Sequence, residues 1–248
     1  MCGRCDQNCP VGIELTPIRM IQRRAGESVS ESKTLLKRYF PDNPVAQPLK
    51  TETDPAFDFL KPEEPPKADV LYFAGCMTHL TPSVKNAMIR ILEASGVRYE
   101  FIDKEGGVCC GRPLMVAGQT KEARELINYN SELIWKSGAH TLVTSYPICY
   151  KVFRESYYLD VEVQHHSQFI KDLIDEGILK LNFIRKRVNY HTPCDLGRGS
   201  GVYDEPKDVL RHVVRLQKTE ADDENAPCCG GSLGNMKINN HQRDRKST

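Results

Sequence analysis

Short apolar runs and amphipathic helix patterns alternate along the middle of the chain. The runs have the length of buried strands, and the longer stretches repeat apolar residues at helical spacing. Gly96 and Gly138 follow two of the helix patterns, and Thr120 is expected to cap the second. This alternation predicts an α/β fold with a mostly parallel sheet covered on both faces. The strand patterns cover residues 70–74, 97–102, 141–144 and 161–163, and the helix patterns cover 82–95, 120–137, 151–157 and 167–176.

The same order of elements starts again near residue 188. A strand pattern at 188–191 precedes a helix pattern at 205–213 and a strand pattern at 214–217, after which the sequence becomes polar. We therefore expect two tandem α/β units, 68–182 and 183–248, of which the second is incomplete.

The residues before these units have a different pattern. Residues 1–40 combine a cysteine-rich start with helical periodicity, which predicts a small helical domain. Residues 41–67 are rich in proline and charge, a composition typical of a linker on the surface.

Charge and composition narrow the class of protein. The 248 residues include 34 basic and 33 acidic side chains, so a net charge of +1 gives no reason to expect a nucleic-acid partner. No apolar run approaches the roughly 20 residues of a membrane span, and Met1 leads into Cys2 without a signal peptide. We expect a cytoplasmic protein and leave open a peripheral position at the inner face of the membrane. In the cytoplasm, ten cysteines indicate metal ligands or redox groups more than disulfides.

Two pairs of adjacent cysteines stand in matched surroundings. Cys109-Cys110 and Cys228-Cys229 are each followed by glycine, and a lone cysteine precedes each pair, by 33 positions in one case and 34 in the other. Adjacent cysteines do not easily bridge to each other, because an ordinary disulfide needs a wider separation of its Cα atoms. The match indicates an internal repeat of a thiol-rich site. The lone cysteines are Cys76 and Cys194, and Cys149 follows the third strand pattern of the first unit.

The chain begins with a third cysteine pattern. Cys2, Cys5 and Cys9-Pro10 give C-x2-C-x3-C-P, the last three cysteines of the bacterial ferredoxin run. The first cysteine of that run would lie before Cys2, so we expect the chain to be cut at its start. The alternative is a three-cysteine zinc knuckle.

Thiolates are soft ligands that select zinc or iron–sulfur clusters over hard cations. We predict no catalytic side chain, since no serine–histidine–aspartate or paired-carboxylate arrangement stands out. The predicted metal and cofactor ligands are all of the cysteines: Cys2, Cys5, Cys9, Cys76, Cys109, Cys110, Cys149, Cys194, Cys228 and Cys229.

The order of a lone cysteine in Ala74-Gly75-Cys76, then Cys109-Cys110-Gly111, then Pro147-Ile148-Cys149 resembles the CCG cysteine-rich domain. That family includes the B and D subunits of heterodisulfide reductase and the iron–sulfur subunits of anaerobic glycerol-3-phosphate, glycolate and lactate dehydrogenases. Two tandem units behind a ferredoxin-type segment look most like the D subunit of heterodisulfide reductase and the iron–sulfur (C) subunit of anaerobic glycerol-3-phosphate dehydrogenase. The resemblance covers nearly the whole chain.

The resemblance implies electron transfer within an anaerobic-type oxidoreductase complex. Its cofactors would be 4Fe–4S clusters, cubane in the ferredoxin-type segment and non-cubane in some CCG units, while some first units carry zinc. The partners it implies are a flavin-containing dehydrogenase subunit or other redox subunit, and a membrane-associated quinone reductase. The chain would pass electrons between the flavoprotein and a quinone or disulfide acceptor. Whether the chain is itself an enzyme stays open.

The sequence departs from the family pattern at two places. The first unit should end in Cys-x2-Cys, but Tyr146 stands at the first of these positions and leaves Cys149 alone. The second unit lacks its final pair, which we expect beyond Thr248. The rival hypothesis is a zinc-stabilised, non-redox binding module in which the thiolates only hold the fold.

Several other residues have a structural and a functional interpretation. His165, His166 and His191 end strand patterns, where a structural role is favoured over a ligand role. Residues 197–201 are glycine-rich but match no phosphate-binding motif, so a turn that presents Cys194 is favoured. Arg112 and Arg198 would either balance cluster charge or be solvated. The aromatic residues Trp135, Tyr150, Phe153, Tyr157 and Tyr158 are expected in the core.

Overall fold

The computed structural model of the protein describes residues 4–7, 14, 68–104, 108–219 and 223–229. The strands are β1 (Val70–Phe73), β2 (Tyr99–Phe101), β3 (Thr141–Thr144), β4 (Glu162–His165), β5 (Arg187–Asn189) and β6 (Arg215–Gln217). The helices are α1 (Arg4–Gln7), α2 (Cys76–His79), α3 (Pro82–Ser95), α4 (Arg112–Ala117), α5 (Thr120–Ser137), α6 (Pro147–Ser156), α7 (His166–Asp175), α8 (Gly197–Ser200) and α9 (Asp204–Val213), with a 3-10 turn at Asp223–Asn225.

Four parallel strands form the main sheet in the order β2-β1-β3-β4. Val70 pairs with both Tyr99 of β2 and Thr141 of β3, so β1 and β3 are the central strands. The chain leaves β1 toward one edge and returns to build the other edge. The order of the strands therefore reverses between β1 and β3, and in open parallel sheets this switch point is where ligands bind.

Both faces of this sheet are covered, as the apolar strand patterns predict. Leu71 and Phe73 face one side, where Val152 and Phe153 of α6 pack against them. The alternate residues of β1 face the other side and pack against α3 and α7. Successive side chains of a strand point to opposite faces, so a strand covered on both sides needs an unbroken apolar run. The α/β prediction is confirmed.

Most predicted elements are present, with ends that differ by a few residues. Helices α3 and α5 end at Gly96 and Gly138, both in the left-handed conformation, as expected. Thr120 is not the cap of α5, because Gln119 takes that position without a side-chain hydrogen bond. Helix α6 begins at Pro147 and not at residue 151. Cys149 therefore lies in the first turn of a helix.

Strands β5 and β6 are parallel and form a separate two-stranded sheet. Helix α6 packs against the segment between β5 and β6, since Tyr150 contacts Leu196 and Val202 of that segment. The adjacent residue, Lys151, donates a hydrogen bond of 2.6 Å from its Nζ to the Gly199 carbonyl. The helix that carries Cys149 thus also holds the segment that follows Cys194.

Two of the aromatic residues expected in the core lie on the surface. Trp135 is 58% exposed, because α5 buries Ala123, Leu126 and Ile134 along one face and places Trp135 outside it. Tyr158 is fully exposed, since it follows the end of α6 where the chain leaves the core. Tyr150, Phe153 and Tyr157 are buried as predicted.

The segments predicted as helical between residues 13 and 40, the proline-rich linker at 41–67 and the polar end of the chain lie almost entirely outside the described residues. Within the described part of the chain, no helix is both long and apolar enough to cross a membrane.

Candidate metal centre

Four buried cysteines meet at the carboxyl ends of the three neighbouring strands β2, β1 and β3. Cys76 follows β1 and opens α2, Cys109 and Cys110 follow β2 and precede α4, and Cys149 follows β3 in the first turn of α6. Each is at most 3% exposed. We call these four residues the first thiol group. They lie at the switch point of the sheet, where the fold alone favours a ligand site.

The thiols of this group are linked by hydrogen bonds. Cys110 accepts from the thiols of Cys109 and Cys149 and from the backbone N–H of Arg112, and Cys109 also bonds to Cys76. The hydrogen bonds from Cys109 and Cys149, with the Arg112 contacts, hold the pKa of Cys110 well below its usual range.

The pKa values of the two neighbouring thiols, Cys109 and Cys149, are shifted in the opposite direction. Hydrogen bonding to Cys110 and Cys76, together with burial, raises the pKa of Cys109. Burial, followed by the hydrogen bond to Cys110, raises the pKa of Cys149. A metal that binds here must displace protons from the thiols, because thiolates and not thiols are its ligands.

The adjacent cysteines are fixed through their backbone carbonyls. The Asn130 amide of α5 donates to the Cys109 carbonyl at 2.7 Å and to the Tyr157 hydroxyl at 2.8 Å. Tyr157 in turn donates to the Cys110 carbonyl at 3.2 Å. Asn130 is 1% exposed, so these bonds form without competition from water. Asn130 and Tyr157 therefore fix the backbone of the Cys109-Cys110 turn.

We expect Asn130→Ala to destabilise the protein by about 2 kcal/mol, because two buried carbonyl and hydroxyl groups lose their donor. Chemical denaturation of the metal-free protein measures this loss. Tyr157→Phe is the milder companion, with an expected loss of about 1 kcal/mol, since only the bonds of one hydroxyl are removed. Equal stability of Asn130→Ala and wild type would contradict the role given to this amide.

Tyr146 occupies the position where the family pattern has a further cysteine. It precedes α6 and packs against the core cluster that contains Cys110 and Cys149. Burial, and then the nearby thiols, raise the pKa of Tyr146 well above its usual range, with Asp195 as a smaller contribution. Tyr146 therefore packs beside the first thiol group.

Three further cysteines form a second thiol group: Cys194, Cys228 and Cys229. The Cys194 and Cys228 sulfur atoms are 3.9 Å apart, and Cys194 is also 3.9 Å from the Asp195 Oδ2. Cys194 and Cys228 are partly exposed and Cys229 is exposed. This second group is more accessible to solvent than the first.

Two side chains bring the Cys228 segment to Cys194. The Arg198 guanidinium donates to the carbonyls of Glu224 and Ala226 at 2.8 and 2.6 Å. His191 donates to the Pro227 carbonyl at 2.7 Å. This hydrogen bond agrees with the favoured structural interpretation of His191. Arg198 anchors the backbone of this loop, and its role as a counter-charge to a cluster stays a prediction.

The other candidates also have structural partners. His165 caps α7 by accepting a hydrogen bond from the Ser167 backbone N–H, and its ring lies tilted against that of His166, with 4.2 Å between the ring centroids. Burial lowers the pKa of His166 to about 4, so this ring is neutral at physiological pH. Residues 197–201 include helix α8, and the Gly199 N–H donates to the Cys194 carbonyl. This geometry agrees with a turn that presents Cys194.

Of the three N-terminal cysteines, only Cys5 is among the described residues. Cys5 lies in α1, while Cys2 and Cys9 are outside the described residues. The Gln7 amide donates to the Glu224 carboxylate at 3.2 Å, which places the end of α1 beside the loop that leads to Cys228. The ligand role of these three cysteines stays a prediction.

The donor set of the first thiol group fits a thiophilic metal or an iron–sulfur cluster. Its four cysteines are free thiols, and four thiolates are the usual number for a cubane cluster or a structural zinc ion. Among the described residues, no three histidine, cysteine or acidic side chains converge on one point as they would around a single bound ion. The four thiols are instead linked by hydrogen bonds.

A family model described as a cysteine-rich domain matches residues 70–154 and 188–246. The chain belongs to the CCG cysteine-rich domain family. The two matched segments contain the first and second thiol groups, respectively, so the resemblance inferred from the Cys-Cys-Gly motifs is confirmed. The boundaries predicted for the tandem units stay a prediction.

Three curated relatives connect this CCG chain to redox proteins. The chain is 30% identical to the D subunit of the dihydromethanophenazine:CoB–CoM heterodisulfide reductase of Methanosarcina mazei, over 94% of this chain and 61% of the relative. It is 27% identical to an iron–sulfur protein of Methanocaldococcus jannaschii, over 94% and 47%, respectively. It is 29% identical to an EtfAB:quinone oxidoreductase of Syntrophomonas wolfei, over 71% and 26%. The chain thus spans less than two thirds of each relative. No solved structure shows a significant match.

The roles of Asn130 and Tyr157, which hold the Cys109-Cys110 turn, were not predicted from the sequence. Asn130 lies inside a helix pattern, where an asparagine is usually exposed, and Tyr157 was assigned to the core without a polar role. One signal could have identified Asn130: it lies on the same helix face as Ala123, Leu126 and Ile134, and a polar residue on a buried face needs a partner.

Proposed function

We propose that the chain is the iron–sulfur electron-transfer part of an oxidoreductase complex. In this proposal it passes electrons between a flavoprotein dehydrogenase-type partner and a quinone or disulfide acceptor. The observation that carries the proposal is the burial of four free thiols at the switch point of a parallel sheet, in a chain of the CCG family. A buried array of thiols is suited to a soft metal centre and not to a solvent-exposed nucleophile.

The first thiol group would hold one 4Fe–4S centre, of cubane or non-cubane type. When bound, such a cluster accepts and releases single electrons. The protein contributes the thiolates, excludes water through the packing of Leu114 and Leu126, and holds the Cys109-Cys110 turn through Asn130. The second thiol group would contribute three ligands to a second centre, and Cys2, Cys5 and Cys9 would contribute to a ferredoxin-type cubane.

The relatives support the choice of partners. One is named for a heterodisulfide and another for a quinone and an electron-transferring flavoprotein. The chain spans only part of each relative, so we propose the acceptor and the overall activity for the complete complex and not for this chain alone. We place this complex in the cytoplasm, with peripheral attachment at the inner face of the membrane where the acceptor is a quinone.

Anaerobic reconstitution with iron and sulfide tests the proposal. We expect bound iron and acid-labile sulfide in similar amounts, a brown colour and an EPR signal on reduction, because thiolates stabilise iron–sulfur clusters. Cys110→Ser is expected to remove most of the iron of the first centre, and Trp135→Phe, an exposed change on α5, is the control that keeps it.

The competing hypothesis makes a different prediction for the same experiment. Tyr146 leaves only four thiols in the first group, the number that tetrahedral zinc requires. Protein that takes up stoichiometric zinc but no sulfide would contradict electron transfer and favour a zinc-stabilised binding module.

A further inference from the structure

A buried carboxylate holds the turn that presents Cys76. Asp103 follows β2 and is 1% exposed. Its Oδ1 accepts a hydrogen bond from the Ala74 backbone N–H and its Oδ2 accepts one from the Gly75 backbone N–H, both at 2.8 Å. These two residues connect β1 directly to Cys76. The carboxylate therefore binds the last two peptide groups before the first cysteine of the thiol group.

The same carboxylate also binds the other end of the Cys76 segment. His79 is the last residue of α2, and its Nε2 lies 3.3 Å from the Asp103 Oδ2. The His79 ring stacks on Phe101 of β2, with 5.9 Å between the ring centroids. Cys76 thus lies in a four-residue helix whose two ends are both tied to Asp103.

Asp103 also lies near Cys149, because its Oδ2 binds the N–H of Gly75, and a Cβ on Gly75 would be 2.9 Å from the Cys149 sulfur. A buried carboxylate costs more free energy than a neutral acceptor, and its hydrogen bonds must offset that cost. A serine or asparagine could satisfy part of this turn without placing a negative charge beside sulfur atoms that must ionise to bind metal. The negative charge of Asp103 therefore affects the metal centre, in addition to the hydrogen bonds by which Asp103 holds the turn.

We propose that Asp103 is a positioning residue of the first thiol group, which fixes Cys76 and lowers the reduction potential of the centre bound there. The potential part rests on the proposed function, whereas the positioning part does not. A fixed negative charge stabilises the oxidised form of a cluster over the more negative reduced form. The hydrogen bonds to the Ala74 and Gly75 N–H groups keep the Cys76 thiol against Cys109.

The test compares Asp103→Asn with wild type, and Asp69→Asn serves as the control. Asn keeps the shape of the side chain, but its NH2 group cannot accept the bonds that both carboxylate oxygens accept. Asp69 lies at the opposite end of β1 in an exposed ion pair with Arg98, away from the thiols. In metal-free protein, mass spectrometry of iodoacetamide-treated samples gives the alkylation rate of Cys76. We expect it to rise about tenfold in Asp103→Asn and to stay unchanged in Asp69→Asn.

The reconstituted proteins test the charge. A redox titration monitored by EPR should show that the reduction potential of the first centre is more positive in Asp103→Asn than in wild type. The potential should be unchanged in Asp69→Asn. A wild-type rate of Cys76 alkylation, or an unshifted potential in the loaded variant, overturns the proposal. If wild type binds no iron and sulfide, the proposed function fails, and the alkylation rates still decide the positioning role.

A second variant covers the case in which Asp103→Asn does not fold. His79→Gln retains the carboxylate and its two backbone bonds while it weakens the third contact. Cys76 alkylation should then rise a few-fold while the potential stays near that of wild type, because the charge is retained. A wild-type alkylation rate in this variant would overturn the proposal.

Discussion

Gly75→Ala is expected to abolish metal binding by the first thiol group and to destabilise the protein by at least about 2 kcal/mol. Gly75 has φ +86° and ψ 148°, a backbone conformation that is almost restricted to glycine. A Cβ at this position would lie 2.9 Å from the Cys149 sulfur and 3.2 Å from the Tyr146 Cβ. Backbone strain and steric overlap therefore act together at the centre of the thiol group.

Gly96→Ala provides a matched control. Gly96 also has a positive φ, +68°, but a Cβ there would meet nothing within 4 Å. We expect this variant to lose about 1 kcal/mol from backbone strain alone and to keep its metal. Denaturation of the metal-free proteins and the absorption of bound Co²⁺ measure the two effects separately. Full Co²⁺ binding by Gly75→Ala would show that the glycine is not required for the approach of Cys149 to Cys76.

The sequence predicted the location of the first thiol group because strand ends are a local property. Each of Cys76, Cys109 and Cys149 follows an apolar run, and parallel strands place such positions at one edge of the sheet. The pattern of the strands also predicted that both faces are covered. What it could not predict was the order β2-β1-β3-β4, which puts Cys76 between its partners, because pairing between strands depends on contacts distant in sequence.

The polar residues that support the cysteines could not be predicted from the sequence, for a related physical reason. Asp103 and Asn130 bind backbone groups 28 and 21 positions away, so nothing in their own neighbourhoods indicates a partner. A charged or amide side chain is usually solvated unless a tertiary contact buries it. Trp135 shows the opposite error, because this large aromatic residue was expected in the core. It is exposed since it lies outside the buried face of α5.

Tyr146→Cys is expected to change the kind of centre that the first thiol group binds. The Tyr146 Cβ lies 3.2 Å from the point that a Gly75 Cβ would occupy, and that point is 2.9 Å from the Cys149 sulfur. Position 146 therefore borders the existing thiols. Residues three apart at a helix start lie on one side of it, so the introduced thiol would present its sulfur beside Cys149. A fifth thiolate should raise the iron bound per chain and alter the EPR spectrum of the reduced protein.

Tyr146→Ser separates the added ligand from the lost ring. Serine and cysteine are similar in size, so both variants remove the same aromatic packing from the half-buried site and should lose similar stability, roughly 1–3 kcal/mol. Only the cysteine variant supplies a soft ligand. If both variants bind the same iron and give the same spectrum, the residue at position 146 does not reach the centre. A new spectrum in Tyr146→Cys alone would show that Tyr146 limits the first group to four thiolates, and that this one position selects between a four-ligand and a five-ligand centre.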